Sequence, residues 1–169
     1  MTEQKFILDA TCGFRMMWVN KHDPNTLYLD NRAEVEPDQL GDFRHLDYAD
    51  ETFRLIVFDP PHLIRNSPST GGDLLMQFGC LRPSTWESDL KQGFNELWRV
   101  LKPYGILIFK WNNGSLSSDK VISLAPEKPL FYQVSSSKPN TKDKNNRIKT
   151  LWFCFMKKPV FLMGGKEKP

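Results

Sequence analysis

The apolar run Leu55-Ile56-Val57-Phe58 leads into Asp59-Pro60-Pro61-His62, which sets a carboxylate, two rings without an N–H and an imidazole side by side. A carboxylate at that position accepts hydrogen bonds and stabilises positive charge developing on a reacting atom. Proline's fixed torsion holds its neighbouring carbonyl rigidly aimed, and its missing N–H adds no competing donor. An imidazole stacks on a flat ring, hydrogen-bonds a substrate or relays a proton. The competing readings are a simple Pro-Pro turn and a satisfied loop histidine. The strand running directly into the tetrapeptide argues for a site.

Other acids stand at comparable places. Asp9-Ala10-Thr11-Cys12-Gly13 follows a short apolar run, Asp30 ends the next, and Asp47 follows a third candidate run. Taken singly, Asp9 and Asp30 also read as polar residues that end buried strands. A metal site is not indicated. His22, His45 and His62 are too far apart for a compact ligand motif, and Cys12, Cys80 and Cys154 form no Cys-x-x-Cys pair.

Short apolar runs alternating with helix-like segments are the pattern of strands joined by crossover helices around a mostly parallel sheet. Strands are expected at Phe6 to Asp9, Leu27 to Asp30, Leu55 to Asp59, Gly105 to Trp111, Phe131 to Ser135 and Leu151 to Met156, with Asp42 to Leu46 as one more. Arg15 to Lys21 is expected to form a short helix. Leu90, Phe94, Leu97, Trp98 and Leu101 make one face of a helix over Thr85 to Leu101, with Ser84 and Glu87 as a capping box at its start. Ile64 to Gly79 has the composition of a mobile lid, and Lys138 to Lys149 that of a basic loop.

Composition bounds the rest. The chain has 169 residues, 40% of them hydrophobic and 12% aromatic, which suits one globular domain over 1–158 with a frayed tail over 159–169. A net charge of +3 suits a polyanionic partner without requiring one. No apolar run approaches the roughly 20 residues needed to span a bilayer, and the N-terminus lacks a signal pattern. The unpaired cysteines fit a reducing compartment, so a cytoplasmic protein without a membrane partner is expected.

Asp-x-x-x-Gly after the first strand, Asp30 ending the second, Asp47 after the third and Asp-Pro-Pro-His ending the next together resemble the ordered motifs of class I S-adenosylmethionine-dependent methyltransferases. The match spans about Phe6 to Lys157. Within that class the tetrapeptide resembles phage and prophage DNA adenine amino-methyltransferases, and the order of motifs resembles the gamma arrangement of DNA methyltransferases. The resemblance implies a single Rossmann-like α/β domain, with a mostly parallel sheet, an antiparallel last strand and helices on both faces. It also implies S-adenosyl-L-methionine as cofactor.

The resemblance further implies that Asp9, Ala10, Thr11, Cys12 and Gly13 shape the methionine end of the cofactor pocket. Asp30 accepts the ribose hydroxyls, and Asp47 contacts the adenine amino group, with Tyr48 or Phe43 nearby. Arg15 stands where the family often has a second glycine, so either the turn differs or Arg15 contacts the cofactor carboxylate. An exocyclic aromatic amine is a poor nucleophile because its lone pair is delocalised. By resemblance, Asp59 and the Pro60 carbonyl accept its two hydrogens, Pro61 stiffens the turn, and His62, in place of the usual larger aromatic, stacks on the base or hydrogen-bonds it.

Trp111 and Asn112, at the end of a strand bordering the same crevice, either touch the target ring or pack in the core. Lys142, Lys144 and Arg147 of the basic loop are candidate phosphate contacts. The expected partner is nucleic acid, DNA ahead of RNA, bound by a monomer or with the help of a partner protein. The alternatives are an RNA or small-molecule amine methyltransferase and a non-catalytic nucleic-acid-binding subunit of the same fold.

Overall fold

The computed structural model describes residues 5–66, 79–139 and 147–159. Seven strands form one sheet: β1 (Ile7–Asp9), β2 (Thr26–Asp30), β3 (Gln39–Leu40), β4 (Phe53–Phe58), β5 (Leu101–Asn112), β6 (Phe131–Pro139) and β7 (Arg147–Met156). Among the described residues two α-helices, α1 (Trp86–Val100) and α2 (Ser118–Ile122), precede and follow β5. The strand order is β3-β2-β1-β4-β5-β7-β6. β1 to β5 run parallel, and β7 is antiparallel to both β5 and β6.

This order has a functional consequence. The chain moves outward from β1 through β2 to β3, then returns to β4 on the other side of β1, so the topology reverses between β1 and β4. In open α/β sheets a ligand crevice lies outside the carboxyl ends of the strands at such a reversal. Asp9 ends β1, and Asp59 immediately follows β4.

Side-chain alternation divides the sheet into two faces. Ile56 and Phe58 of β4, Leu107, Phe109 and Trp111 of β5, and Leu151, Phe153 and Phe155 of β7 join Leu90, Phe94 and Leu97 of α1 and Val121 of α2 in the main core. The opposite face of β2 presents Tyr28, which packs with Cys12, Trp18 and Val35 of a 3-10 turn at Ala33–Val35. Among the described residues both α-helices therefore sit on one face, and only the 3-10 turn lies on the other. No helix among the described residues is long and apolar enough to cross a membrane.

Several local expectations change. Arg15 to Lys21 forms turns instead of a helix, because Arg15 sits at a φ of 56° and Met16 and Val19 point into solvent without a shared apolar face. The third strand falls at Gln39–Leu40, before the expected Asp42 to Leu46. There the Asp42 side chain accepts from the Arg44 N–H, and His45 N–H donates to the Asp42 carbonyl, so the chain turns back on itself.

Helix α1 starts at Trp86 with Thr85 as its cap, and Ser84 and Glu87 do not form the expected box. Thr85 Oγ1 instead donates to Asp89 Oδ2 at 2.7 Å. The basic loop is shorter than expected, since Lys138 and Arg147 to Lys149 lie within β6 and β7. Its remaining residues 140–146, most of the expected lid (67–78) and the tail from 160 onward lie outside the described residues.

Candidate active site

The turn after β1 ties the ends of three strands together. Ala10 N–H donates to the Val57 carbonyl at 2.9 Å and Cys12 N–H to the Leu29 carbonyl at 2.9 Å, so the backbone bridges β4 and then β2. Thr11 Oγ1 accepts from the Asp59 N–H at 2.9 Å. Gly13, at a φ of 49° that a residue with a Cβ rarely adopts, directs its N–H to Asp30 Oδ2 at 2.9 Å. Asp9, Asp30 and Asp59 are thereby gathered at one edge of the sheet.

Each acid has a different environment. Asp9 is fully buried, accepting from Trp18 Nε1 at 2.6 Å and from the Thr11 N–H at 3.3 Å. Burial raises its carboxyl, the bonds from Trp18 and Thr11 pull it partly back, and the Asp59 and Asp30 charges raise it further, leaving it at about 7. The Cys12 thiol is pushed up to about 12, first by burial and then by Asp9, which makes it inert as a nucleophile at neutral pH. Asp30 is nearly fully buried beneath Arg32, whose Nε donates to Oδ1 at 2.9 Å and whose terminal nitrogen donates to Oδ2 at 3.1 Å.

Asp59 forms the centre of a chain of contacts. Oδ1 accepts from His62 Nε2 at 3.0 Å, and Oδ2 accepts from Lys110 Nζ at 2.6 Å. Burial would raise this carboxyl, but the His62 hydrogen bond and the His62 and Lys110 charges outweigh it and hold Asp59 below the ordinary range. Asp59 is therefore an ionised acceptor at neutral pH. The His62 ring meets Trp111 edge-on with centroids 5.0 Å apart, and its Nδ1 is buried without a hydrogen-bond partner. Pro60 is buried, and Pro61 stands where a side chain on Gly79 would touch it.

Other expected site residues are held in contacts of their own or stand exposed. Arg15 stacks on Tyr28 at 4.0 Å and donates to the Lys21 and Glu36 carbonyls and to Asp38, so it braces the turn. Trp111 has no exposed surface, and its Nε1 donates to the Leu116 carbonyl, which makes it a core residue instead of a substrate platform. Asn112 is spent on Thr150 Oγ1 and the Gly114 N–H. Asp47 is exposed, and Arg147 is held to Ser137 of the facing strand. Lys142 and Lys144 lie outside the described residues.

Three residues at the site were not assigned from the sequence: Trp18 on Asp9, Arg32 on Asp30 and Lys110 on Asp59. Lys110 had a signal. It is the only charged residue in Ile106-Leu107-Ile108-Phe109-Lys110-Trp111, and the pairing of Phe58 with Phe109 sets it beside Asp59. Trp18 and Arg32 had none, because both act from irregular segments. Among the described residues no group of three or more His, Cys, Asp or Glu side chains is arranged to hold a metal ion.

The architecture resembles that of solved methyltransferase structures. A SAM-dependent methyltransferase from Methanosarcina mazei matches with a TM-score of 0.57 at 11% identity, covering 93% of this chain and 95% of that one. A protein from Pyrococcus horikoshii OT3 matches with a TM-score of 0.56 at 15% identity, covering 94% and 84%. The N-methyltransferase NodS from Bradyrhizobium japonicum, in complex with S-adenosyl-L-homocysteine, matches with a TM-score of 0.54 at 12% identity, covering 89% and 76%. No protein-family model matches the sequence, and no curated protein matches it. At these identities the likeness shows a single Rossmann-like methyltransferase fold.

Proposed function

We propose that this chain is an S-adenosylmethionine-dependent methyltransferase that methylates an exocyclic amino group, with adenine in DNA as its substrate. The observation that carries the reading is Asp59: a largely buried carboxylate, kept ionised by Lys110 and His62, immediately before two prolines at the reversal point of a methyltransferase sheet. An amine needs an acceptor there to localise its lone pair for in-line attack. The Pro60 carbonyl is the second acceptor in this reading.

The donor set fits the cofactor. A molecule bearing an ammonium and a sulfonium suits an edge with three acids, and its ribose diol suits Asp30 once Arg32 yields one carboxylate oxygen. Bound S-adenosylmethionine supplies an electrophilic methyl group. Asp9, through the turn Ala10 to Gly13, shapes the pocket floor, and Asp47 is the candidate for the adenine amino group.

The nucleic-acid part rests on the β6–β7 hairpin. The last β5–β7 pair joins Asn112 to Thr150, yet β7 extends further to Arg147, paired with Ser137 to Pro139 of β6. Because β7 runs against β5, this overhang lies at the same sheet edge as Asp59. It carries the exposed cations Lys138, Arg147 and Lys149, suited to phosphates.

The test is transfer of labelled methyl from S-adenosylmethionine to DNA, RNA and amine metabolites in parallel, with calorimetry for cofactor binding. Labelled N-methyladenine in DNA is the expected product, and Asp59→Ala retains cofactor binding while losing transfer. Label in RNA or a metabolite alone would overturn the DNA assignment, and absence of cofactor binding would overturn the enzyme reading as a whole.

A further inference from the structure

We infer that Lys110 selects the substrate: its ammonium donates a hydrogen bond to the unprotonated ring nitrogen beside the target amino group, N1 in adenine, while Asp59 accepts from the amine. This rests on the amino-methyltransferase reading and narrows it to amines on a ring carbon next to a bare ring nitrogen.

The sheet register brings donor and acceptor together. Phe58 at the end of β4 pairs with Phe109 of β5, so the next residues, Asp59 and Lys110, stand side by side. Phe109 and Trp111 point into the main core with α1, and alternation along the strand sends the Lys110 side chain to the opposite face. There Nζ meets Asp59 Oδ2 at 2.6 Å, with 26% of the lysine side chain and 18% of the aspartate side chain accessible. Both groups are therefore open to a bound molecule.

Neither group is used up. Among the described residues Asp59 is the one hydrogen-bond acceptor that Lys110 has, and an ammonium carries three N–H donors. The Trp152 ring, with its centre 5.5 Å from Nζ, adds a cation–π contact that occupies no acceptor. An ionised carboxylate offers about four lone-pair sites over its two oxygens. His62 Nε2 takes one on Oδ1 and Lys110 one on Oδ2, so Oδ2 still accepts from an amine beside the ammonium.

The spacing fits the substrate edge. An exocyclic amine and the ring nitrogen beside it share one carbon, at roughly 1.3 Å from each, which puts them about 2.3 Å apart. The separation of Oδ2 and Nζ, 2.6 Å, is close to this. Two hydrogen bonds then run side by side, amine to carboxylate and ammonium to ring nitrogen, as in pockets that read the Watson–Crick edge of an extruded base. The amine's second hydrogen is left for the Pro60 carbonyl. Adenine presents this edge with N6 and N1, and cytosine with N4 and N3. An aliphatic amine, or an aromatic amine without the ring nitrogen, forfeits the bond from Lys110. The bond also protects the reaction's regiochemistry: the ring nitrogen's pair lies in the ring plane and competes with the delocalised amine, and Lys110 holds that pair away from the methyl group.

The experiment measures single-turnover methyl transfer by the full chain to a DNA oligonucleotide whose methylated adenine has been located by labelled transfer. The same oligonucleotide is then tested with 1-deazaadenine or 7-deazaadenine at that position. Wild type is expected to lose about 10- to 100-fold in kcat/KM on 1-deazaadenine, the scale of one hydrogen bond to a charged group, and to treat 7-deazaadenine like adenine. Lys110→Met is expected to be slower on adenine and to show little difference between adenine and 1-deazaadenine, and Lys110→Arg to keep most of the wild-type discrimination. Calorimetry with S-adenosylmethionine checks that the cofactor site survives in Lys110→Met.

Equal wild-type rates on adenine and 1-deazaadenine would overturn the inference. So would undiminished discrimination in Lys110→Met, which leaves Lys110 only its hold on Asp59. If wild type transfers methyl to no amine, or to aliphatic amines alone, the parent reading falls. Methylated adenine without a loss on the 1-deaza analogue removes this inference alone.

Discussion

Asp9→Asn isolates the electrostatic cost built into the turn after β1. Asp9 is fully buried, and its carboxyl is raised from 3.8 to about 7, chiefly by burial. A group whose folded pKa lies above its unfolded value contributes its full stability below the unfolded value, and loses it as the pH rises through the folded one. The loss therefore runs from about pH 4 to about pH 7. At about 1.4 kcal/mol per pH unit, its full extent is up to about 4 kcal/mol. Between pH 5 and pH 8 linkage gives a fall of about 2 to 3 kcal/mol for wild type relative to the asparagine variant.

Asparagine keeps an oxygen for Trp18 Nε1 but gives up one acceptor, at about 1 kcal/mol. At pH 8 the variant should still be the more stable protein. Urea titrations at several pH values, followed by far-UV circular dichroism and by the fluorescence of Trp18 and its neighbours, measure the difference. Other titrating groups are common to both proteins and cancel. Asp59 adds nothing in this window, because its lowered carboxyl contributes stability above about 4 and loses it only on further acidification. Parallel stability profiles for the two proteins from pH 5 to pH 8 would refute the reasoning.

Gly93 of α1 has no room for a methyl group: a Cβ there would lie 2.5 Å from Phe43 Cδ2 and Cε2, and Phe43 in turn packs on Phe58. Overpacking of this kind costs about 1 to 3 kcal/mol, more than the ~1 kcal/mol that alanine gains over glycine in a helix, so Gly93→Ala should lower the urea midpoint at unchanged m-value. The double variant Lys138→Gln, Lys149→Gln should reduce the slope of log affinity against log salt for duplex DNA by about 2, at roughly 0.9 per phosphate contact. Fluorescence anisotropy over a salt series measures it, and an unchanged slope removes the hairpin from the interface.

Most strands were legible because they show a signature of their own: apolar runs ending in an acid mark β1, β2 and β4, and the amphipathic spacing from Leu90 to Leu97 marks α1, whereas β3 at Gln39–Leu40 has no such run. What escaped depends on neighbours distant in sequence or on backbone that follows no period. The segment after Gly13 looked helical by composition, but a left-handed Arg15 stacked on Tyr28 makes it a brace. Asp42 interrupts a β-like run through a bond of its own side chain, which no alternation pattern registers.

The tetrapeptide shows both limits in four residues. Asp59 and Pro60 stand where the strand ends, so their place at the sheet edge follows from local sequence. The orientation of His62 does not. It depends on Asp59 being held by Lys110, which stands 51 residues away and reaches it only because β5 lies parallel to β4 in this register. With that cation in place the imidazole faces a carboxylate, and the ring lies edge-on to Trp111 with one nitrogen unpaired. A substitution at Lys110 therefore tests the motif more sharply than a substitution within Pro60-Pro61, because it leaves every backbone acceptor in place and removes the cation that anchors Asp59 and lowers its carboxyl.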